Sequence, residues 1–321
     1  VLGIINTIST LLYGCSGQPT QFEKTKVETN PIKMDSIFEV QVDGIKQFVK
    51  VETEDFNKPV LLFLSGGPGS SMMDSDDLFT NGLRKKFTIV HWDQRGAGKT
   101  LKFNKSTLHL SVAKMQQDTY EVILFITKKL KKSKIYLLGC SWGNVLGFSI
   151  VKEHPELLHS YFAVNPPIDQ LNSEKELLKT LKLTLNENPI AIQELNTVTI
   201  PFKTNEDLFI LRKWLFFKNG NKSAISDDFK ADFLNWSESW SSVYNEVMSI
   251  DLTQSLQEVY CPVYFFVGRN DIQTLSEITK SYYQKLIAPD KNLFWFENSG
   301  HEIHLNEPEK FQSTNIKIVG N

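Results

Sequence analysis

Ser141 is bracketed in the stretch Gly139-Cys140-Ser141-Trp142-Gly143. A serine hydroxyl is a poor nucleophile at neutral pH, so a reactive serine needs a base, and the base needs a carboxylate to orient it. G-x-S-x-G spacing serves this chemistry where a strand turns sharply into a helix. Residues 134–139, KIYLLG, read as a buried strand, and residues 142–153 have helical spacing. Ser141 is therefore expected on the turn between them, at the positive end of the helix, where negative charge is stabilised. Gly139 and Gly143 are expected where a side chain would collide with the neighbouring strand and helix. Cys140 is expected to point into the core as a small buried thiol rather than to rival Ser141.

The base and its carboxylate should follow in the order Ser, Asp, His. Asp271 lies in VGRND just after the apolar run PVYFFVG, and His301 lies in NSGHE just after NLFWFE. Both are expected at the carboxyl ends of parallel strands, where ligands bind in open α/β sheets. His304 is the rival histidine, but a zinc motif needs H-E-x-x-H spacing on a helix and HEIH is one residue short, so no metal site is expected. Acyl transfer also needs donors aimed at a developing oxyanion. The loop LSGGPGSS, 64–71, follows the first apolar strand, so the expected donors are the N–H of Trp142 and an N–H of the Gly66-Gly67 pair. No metal or organic cofactor is implied.

These residues need a scaffold. SIFEVQVDGIKQFVKV, 36–51, alternates on either side of Asp43-Gly44 and predicts an antiparallel hairpin. The runs at 59–64, 87–92, 134–139, 160–165, 262–268 and 292–297 are continuously apolar, as in strands buried on both faces of a parallel sheet. Helical patterns at 111–131, 142–153, 274–287 and 307–314 fall between or after them. The fold class is a mostly parallel, doubly wound α/β sheet with an N-terminal antiparallel hairpin. Residues 167–255 hold no clear buried strand and carry Trp214, Trp236 and Trp240. They predict a helical cap inserted into a core formed by 36–166 and 256–321, able to enclose a substrate.

Five stretches carry a family resemblance: SGGPG at 65–69, HWDQRGAGKT at 91–100, GCSWGN at 139–144, GRNDIQT at 268–274 and SGHE at 299–302. Together they resemble the proline iminopeptidases of the α/β-hydrolase superfamily, from about residue 36 to the C-terminus, with the insertion matched only loosely. The resemblance implies Ser141 as nucleophile, His301 as general base and acid, Asp271 as orienting carboxylate, and Gly67 with Trp142 as oxyanion donors. It implies a structural role for Asp93 and Arg95. Ser65 departs from the His that usually opens the family's loop, so the support of that loop should differ. Family peptidases hold the substrate's free amino group with acidic cap residues. Here NWSESWSSVYNE, 235–246, offers Glu238 and Glu246 beside Trp236, Trp240 and Tyr244. The activity implied is release of N-terminal residues, preferably proline, through an acyl-enzyme. An esterase of the same fold is the alternative, followed by a binding protein that has lost catalysis.

Lys plus Arg number 35 and Asp plus Glu 37, so no net basic field draws in nucleic acid, and the expected partner is a small peptide or small molecule. Cys15, Cys140 and Cys261 are widely spaced and odd in number, which argues against a disulfide framework. VLGIINTISTLLYGC, 1–15, is too short to span a bilayer but long enough for a signal-peptide core. Read that way, residues 1–35 are a bacterial lipoprotein signal and tether with Cys15 as lipid acceptor and a membrane attachment at the cell envelope. The alternative is an ordinary N-terminal segment of a cytoplasmic protein.

Overall fold

The computed structural model describes residues 34–73, 77–104 and 110–320. Cys15 and the expected signal segment lie outside the described residues. Eight strands form one sheet: β1 (Met34–Val42), β2 (Ile45–Thr53), β3 (Val60–Leu64), β4 (Thr88–Asp93), β5 (Ile135–Cys140), β6 (Leu158–Val164), β7 (Val263–Gly268) and β8 (Lys291–Phe296). Their spatial order is β1-β2-β4-β3-β5-β6-β7-β8. The first two pairings, β1 with β2 and β2 with β4, are antiparallel. Every later pairing is parallel. This is the α/β-hydrolase fold expected of the sequence.

The hairpin follows from Asp43 and Gly44, both at positive φ as a two-residue type I′ turn requires, with Val42 paired to Ile45. The unbroken apolar runs have an equally simple cause. Successive side chains of β3 enter different cores: Leu62 and Leu64 pack with the helices Val112–Leu130 and Gly143–Glu153. Leu61 and Phe63 pack with Phe79 and with Phe311 of the helix Pro308–Gly320. Neither face meets water, so neither can be polar. β8 departs from the expectation of two buried faces. It ends the sheet, and of its six residues only Phe296 is buried, while the Arg269 guanidinium covers the half-buried Trp295 ring at 3.6 Å.

Between β6 and β7 the chain leaves and returns at one point. Asp169 bridges Asp251, and Leu252 N–H donates to Ile168 O at 2.8 Å. The helices Gln170–Thr184, Pro189–Leu195, Asn205–Lys218 and Asp227–Val247 lie within this insertion. They bury their own cluster, including Leu177, Leu181, Leu211 and Trp214.

The segment 91–100 braces the sheet rather than facing the site. Arg95 grips buried Asp118 with two bonds, Nε to Oδ2 at 2.7 Å and Nη2 to Oδ1 at 2.9 Å. Gln47 Nε2 also donates to Asp118, at 2.9 Å, and Gln47 Oε1 accepts from Trp92 Nε1 at 2.8 Å, so β2, β4 and the Val112–Leu130 helix are joined. Asp93 accepts from the Ser71 hydroxyl and from Lys99 N–H, the latter at 2.7 Å, which ties the loop after β3 to the one after β4. Removing one partner of a buried pair leaves a charge without compensation. Arg95→Leu should therefore lower the unfolding free energy by about 3–5 kcal/mol. Urea denaturation checks this, and a loss smaller than that of an ordinary surface substitution would contradict the bracing role.

Candidate active site

β5 delivers Ser141 to the turn before the Gly143–Glu153 helix with φ of +48°. Such a conformation costs a non-glycine residue on the order of 1–3 kcal/mol and persists only where neighbours enforce it. Ser141 N–H donates to Val164 O at 2.9 Å, and Asn144 Nδ2 donates to both Ser141 O and Val164 O, at 3.0 and 2.9 Å. The flanking glycines have no room for a side chain. A Cβ on Gly143 would fall 2.1 Å from Leu64 O, and one on Gly139 would fall 2.4 Å from Tyr161 Oη.

The loops after β7 and β8 bring the other two groups. His301 Nε2 lies 2.8 Å from Ser141 Oγ, and His301 Nδ1 lies 2.8 Å from Asp271 Oδ2. Asp271 is further saturated by Gln273 N–H and Thr274 N–H on Oδ1, at 2.8 and 3.2 Å, and by the Thr274 hydroxyl on Oδ2, at 2.7 Å. Burial is the largest influence on Asp271 and opposes its charge. The His301 ring and the hydrogen bonds from His301, Thr274 and Gln273 outweigh it and hold the carboxyl below its ordinary value. Burial also disfavours protonated His301, but the charge and hydrogen bond of Asp271, with Glu302 adding to them, raise the ring's pKa. Asn165, at the end of β6, had no sequence signal, being one asparagine beside a strand end. Its Nδ2 donates to His301 O and its Oδ1 accepts from Gly268 N–H at 2.9 Å, so it ties the Asp271 and His301 loops together.

The loop after β3 packs on the elbow. Among the described residues, the backbone N–H groups of Gly67 and Trp142 donate to no protein acceptor, as an oxyanion site needs. Ser65 opens this loop and is held at both its hydroxyl and its carbonyl. Its hydroxyl donates to Ser70 O at 2.9 Å, while Gln94 Nε2 donates to Ser65 O at 3.0 Å. Trp142 Nε1 donates to Gln94 Oε1 at 2.9 Å, so Gln94 links the loop to the elbow. Cys140 is buried and its thiol pKa is pushed well up by that burial, with Glu302 adding to it.

Ser141 opens on a cavity of ≈ 270 Å³ whose walls include Phe216, Phe233, Trp236, Gln170, Arg212 and Tyr244. Trp236 stands as expected in this wall, with Nε1 donating to Pro68 O at 3.0 Å. Tyr244 is there too, but Trp240, Glu238 and Glu246 are not. Trp240 is buried against Trp142 and against Gly69 and Gly96, where a Cβ would fall 2.7 and 2.6 Å from its ring atoms, so it clamps the cap to the loops. Glu238 is on an exposed face of the Asp227–Val247 helix, away from the cavity. Glu246 is also exposed, and its Oε2 accepts from Val112 N–H at 3.0 Å, at the start of another helix. Helical periodicity accounts for both corrections: buried Ser237, Trp240, Val243, Tyr244 and Val247 mark the inward stripe, and neither glutamate shares it.

The cavity's polar wall is one that sequence reading missed. Glu174 and Arg212, 38 residues apart on two different helices, form a buried bidentate pair, Nη1 to Oε2 at 2.9 Å and Nη2 to Oε1. Glu174 Oε1 also accepts from Tyr244 Oη and from Gln170 Nε2, both at 2.6 Å. Burial opposes the Arg212 charge, yet Glu174 outweighs it and raises the guanidinium pKa. The carboxylate is thus consumed within the wall.

A family model described as the alpha/beta hydrolase fold matches residues 59–195. The chain is 28% identical over 299 residues to the probable aminopeptidase YbaC of Bacillus subtilis (strain 168), covering 86% of this chain and 93% of that protein. It is 27% identical to a proline iminopeptidase of Heyndrickxia coagulans, covering 86% and 94%. The crystal structure of a proline iminopeptidase from Mycobacterium smegmatis superposes with a TM-score of 0.61 at 20% identity, covering 89% of this chain and 98% of the other, which is a likeness of fold.

The electrostatics set one expected measurement. The His301 ring titrates above its ordinary value of 6.5 because Asp271 favours its protonated form. Asp271→Asn removes that charge, so the titration should move to lower pH. Ring chemical shifts followed by NMR against pH check this, and a midpoint that does not move would contradict the assignment of the shift to Asp271.

Proposed function

We propose that this chain, which is similar to proline iminopeptidases and carries the alpha/beta hydrolase fold, is a serine hydrolase that releases N-terminal residues, preferably proline, from short peptides. The single observation that carries the reading is the unbroken chain Asp271–His301–Ser141 ending at a cavity of ring size lined by Phe216, Phe233 and Trp236. In this reading neutral His301 takes the Ser141 proton at Nε2 as Oγ attacks the carbonyl carbon of the N-terminal residue. Asp271 keeps the imidazole in the tautomer with its proton on Nδ1 and stabilises the imidazolium that forms. The N–H groups of Trp142 and Gly67 meet the oxyanion. His301 then gives its Nε2 proton to the leaving amine, and water hydrolyses the acyl-enzyme by the same steps in reverse.

Recognition of the imino group falls to the polar wall. Gln170 spends its Nε2 on Glu174 and Tyr244, and among the described residues its carbonyl oxygen has no partner, which leaves an acceptor for the substrate's N–H. The wall is charge-balanced, since Glu174 offsets Arg212. That balance favours a second reading, an esterase of the same mechanism acting on small uncharged acyl groups.

Hydrolysis of proline β-naphthylamide beside its N-acetylated form separates the two. Cleavage of only the free amine is the expected result; turnover of p-nitrophenyl acetate without cleavage of either anilide would establish the esterase. Ser141→Ala should lower kcat by roughly 10⁶-fold. Full activity in a folded Ser141→Ala variant would remove the nucleophile assignment. Because only neutral His301 can act as base, kcat/KM should fall as pH is lowered through a midpoint above 6.5.

A further inference from the structure

Ser141 lines two adjoining cavities that share Gly67, Ser70, Phe216 and Gln273, and only one of them is lined by His301. The first, of ≈ 270 Å³, is bounded by Ser141, Trp142 and the cap. The second, of ≈ 280 Å³, is bounded by Ser141, His301, Glu302, His304, Met72 and Gln273. A leaving group must be within reach of the Nε2 proton of His301 to depart, so it occupies the cavity that His301 lines, and the acyl group occupies the other. The charges of the two cavities differ. On the acyl side Glu174 cancels Arg212. On the leaving-group side stands the Glu302 carboxylate, its side chain 56% exposed, accepting no hydrogen bond among the described residues.

The basic groups near Glu302 are His301, its chain neighbour, whose pKa it helps to raise, and His304, whose Nε2 lies 3.6 Å from Glu302 Oε2. Burial is the largest influence on His304 and lowers its pKa, which favours the neutral ring at neutral pH, so it leaves the carboxylate's charge uncancelled. The His304 ring is itself nearly fully buried, and its Nδ1 has no hydrogen-bond partner among the described residues. We infer that Glu302 determines specificity on the leaving-group side by attracting a positively charged group, so that preferred substrates place a cation, such as a lysine side chain, just beyond the scissile bond. The inference rests on the acyl-enzyme reading of Ser141 and goes beyond it to the chemistry of what departs.

Two matched substrate pairs test it. One is prolyl-lysinamide against prolyl-norleucinamide, and the other is 3-(trimethylammonio)phenyl acetate against 3-tert-butylphenyl acetate. At low salt the protein should favour the cationic member of each pair by about fivefold in kcat/KM, the scale of a partly exposed ion pair. Glu302→Gln should bring each ratio close to one, Glu302→Asp should retain part of it, and added salt should shrink it in the unaltered protein. Because each ratio is internal to one variant, a general loss of activity or stability does not mimic the effect. A ratio near one in the unaltered protein, or a ratio that survives Glu302→Gln, would overturn the inference. If neither dipeptide amide is cleaved but the ester pair shows the ratio and loses it in Glu302→Gln, the inference stands and the aminopeptidase reading falls. Turnover of neither pair would overturn both.

Discussion

The candidate catalytic face depends on one crowded contact, the backbone of β3 against the turn that follows β5. Leu64 pairs with Gly139, and its carbonyl oxygen approaches Gly143 so closely that no side chain fits there. This approach brings the 65–71 loop onto the elbow, where the N–H groups of Gly67 and Trp142 are left open. It also forces Ser141 into its left-handed conformation, which Val164 and Asn144 then hold. Strain of this sort is affordable only because a packed sheet over-determines it.

The parallel order of the sheet extends the same logic. Since β3, β4, β5, β6, β7 and β8 all run one way, their carboxyl ends share an edge, and each contributes something there. Asp93 ties the loops after β3 and β4, Asn165 ties those after β7 and β8, and Ser141, Asp271 and His301 meet between them. The bracing Asp93 and Asn165 are as buried as Asp271, while Ser141 and His301 stand half-buried at the cavity.

The cap adds a different constraint, the disposal of buried charge. A buried arginine is tolerable only when paired, and Glu174 and Tyr244 pair Arg212 at the cavity wall. In the proposed reading, acyl recognition is left to hydrogen-bond geometry and ring shape. On the far side of Ser141, Glu302 is partly solvated and needs no such partner, so its charge remains available across the second cavity.

Much of this was determined by the sequence alone. Unbroken apolar runs follow directly from burial on two faces, a G-x-S-x-G turn follows from strand and helix patterns around it, and the order of Ser141, Asp271 and His301 relative to the strands requires no long-range knowledge. β8 read as buried because its composition is apolar, but only its place at the sheet's end exposed it. The cap was where tertiary structure decided. Glu238 and Glu246 lay in a suggestive segment, yet a helix rotates successive residues by about 100°, and packing of Trp240 and Val243 chose the stripe that excludes both. Glu174, Arg212 and Asn165 carried no local pattern, because their partners come from distant parts of the chain. Local periodicity encodes which face of an element is apolar; which polar atoms meet across elements is set only when the elements dock.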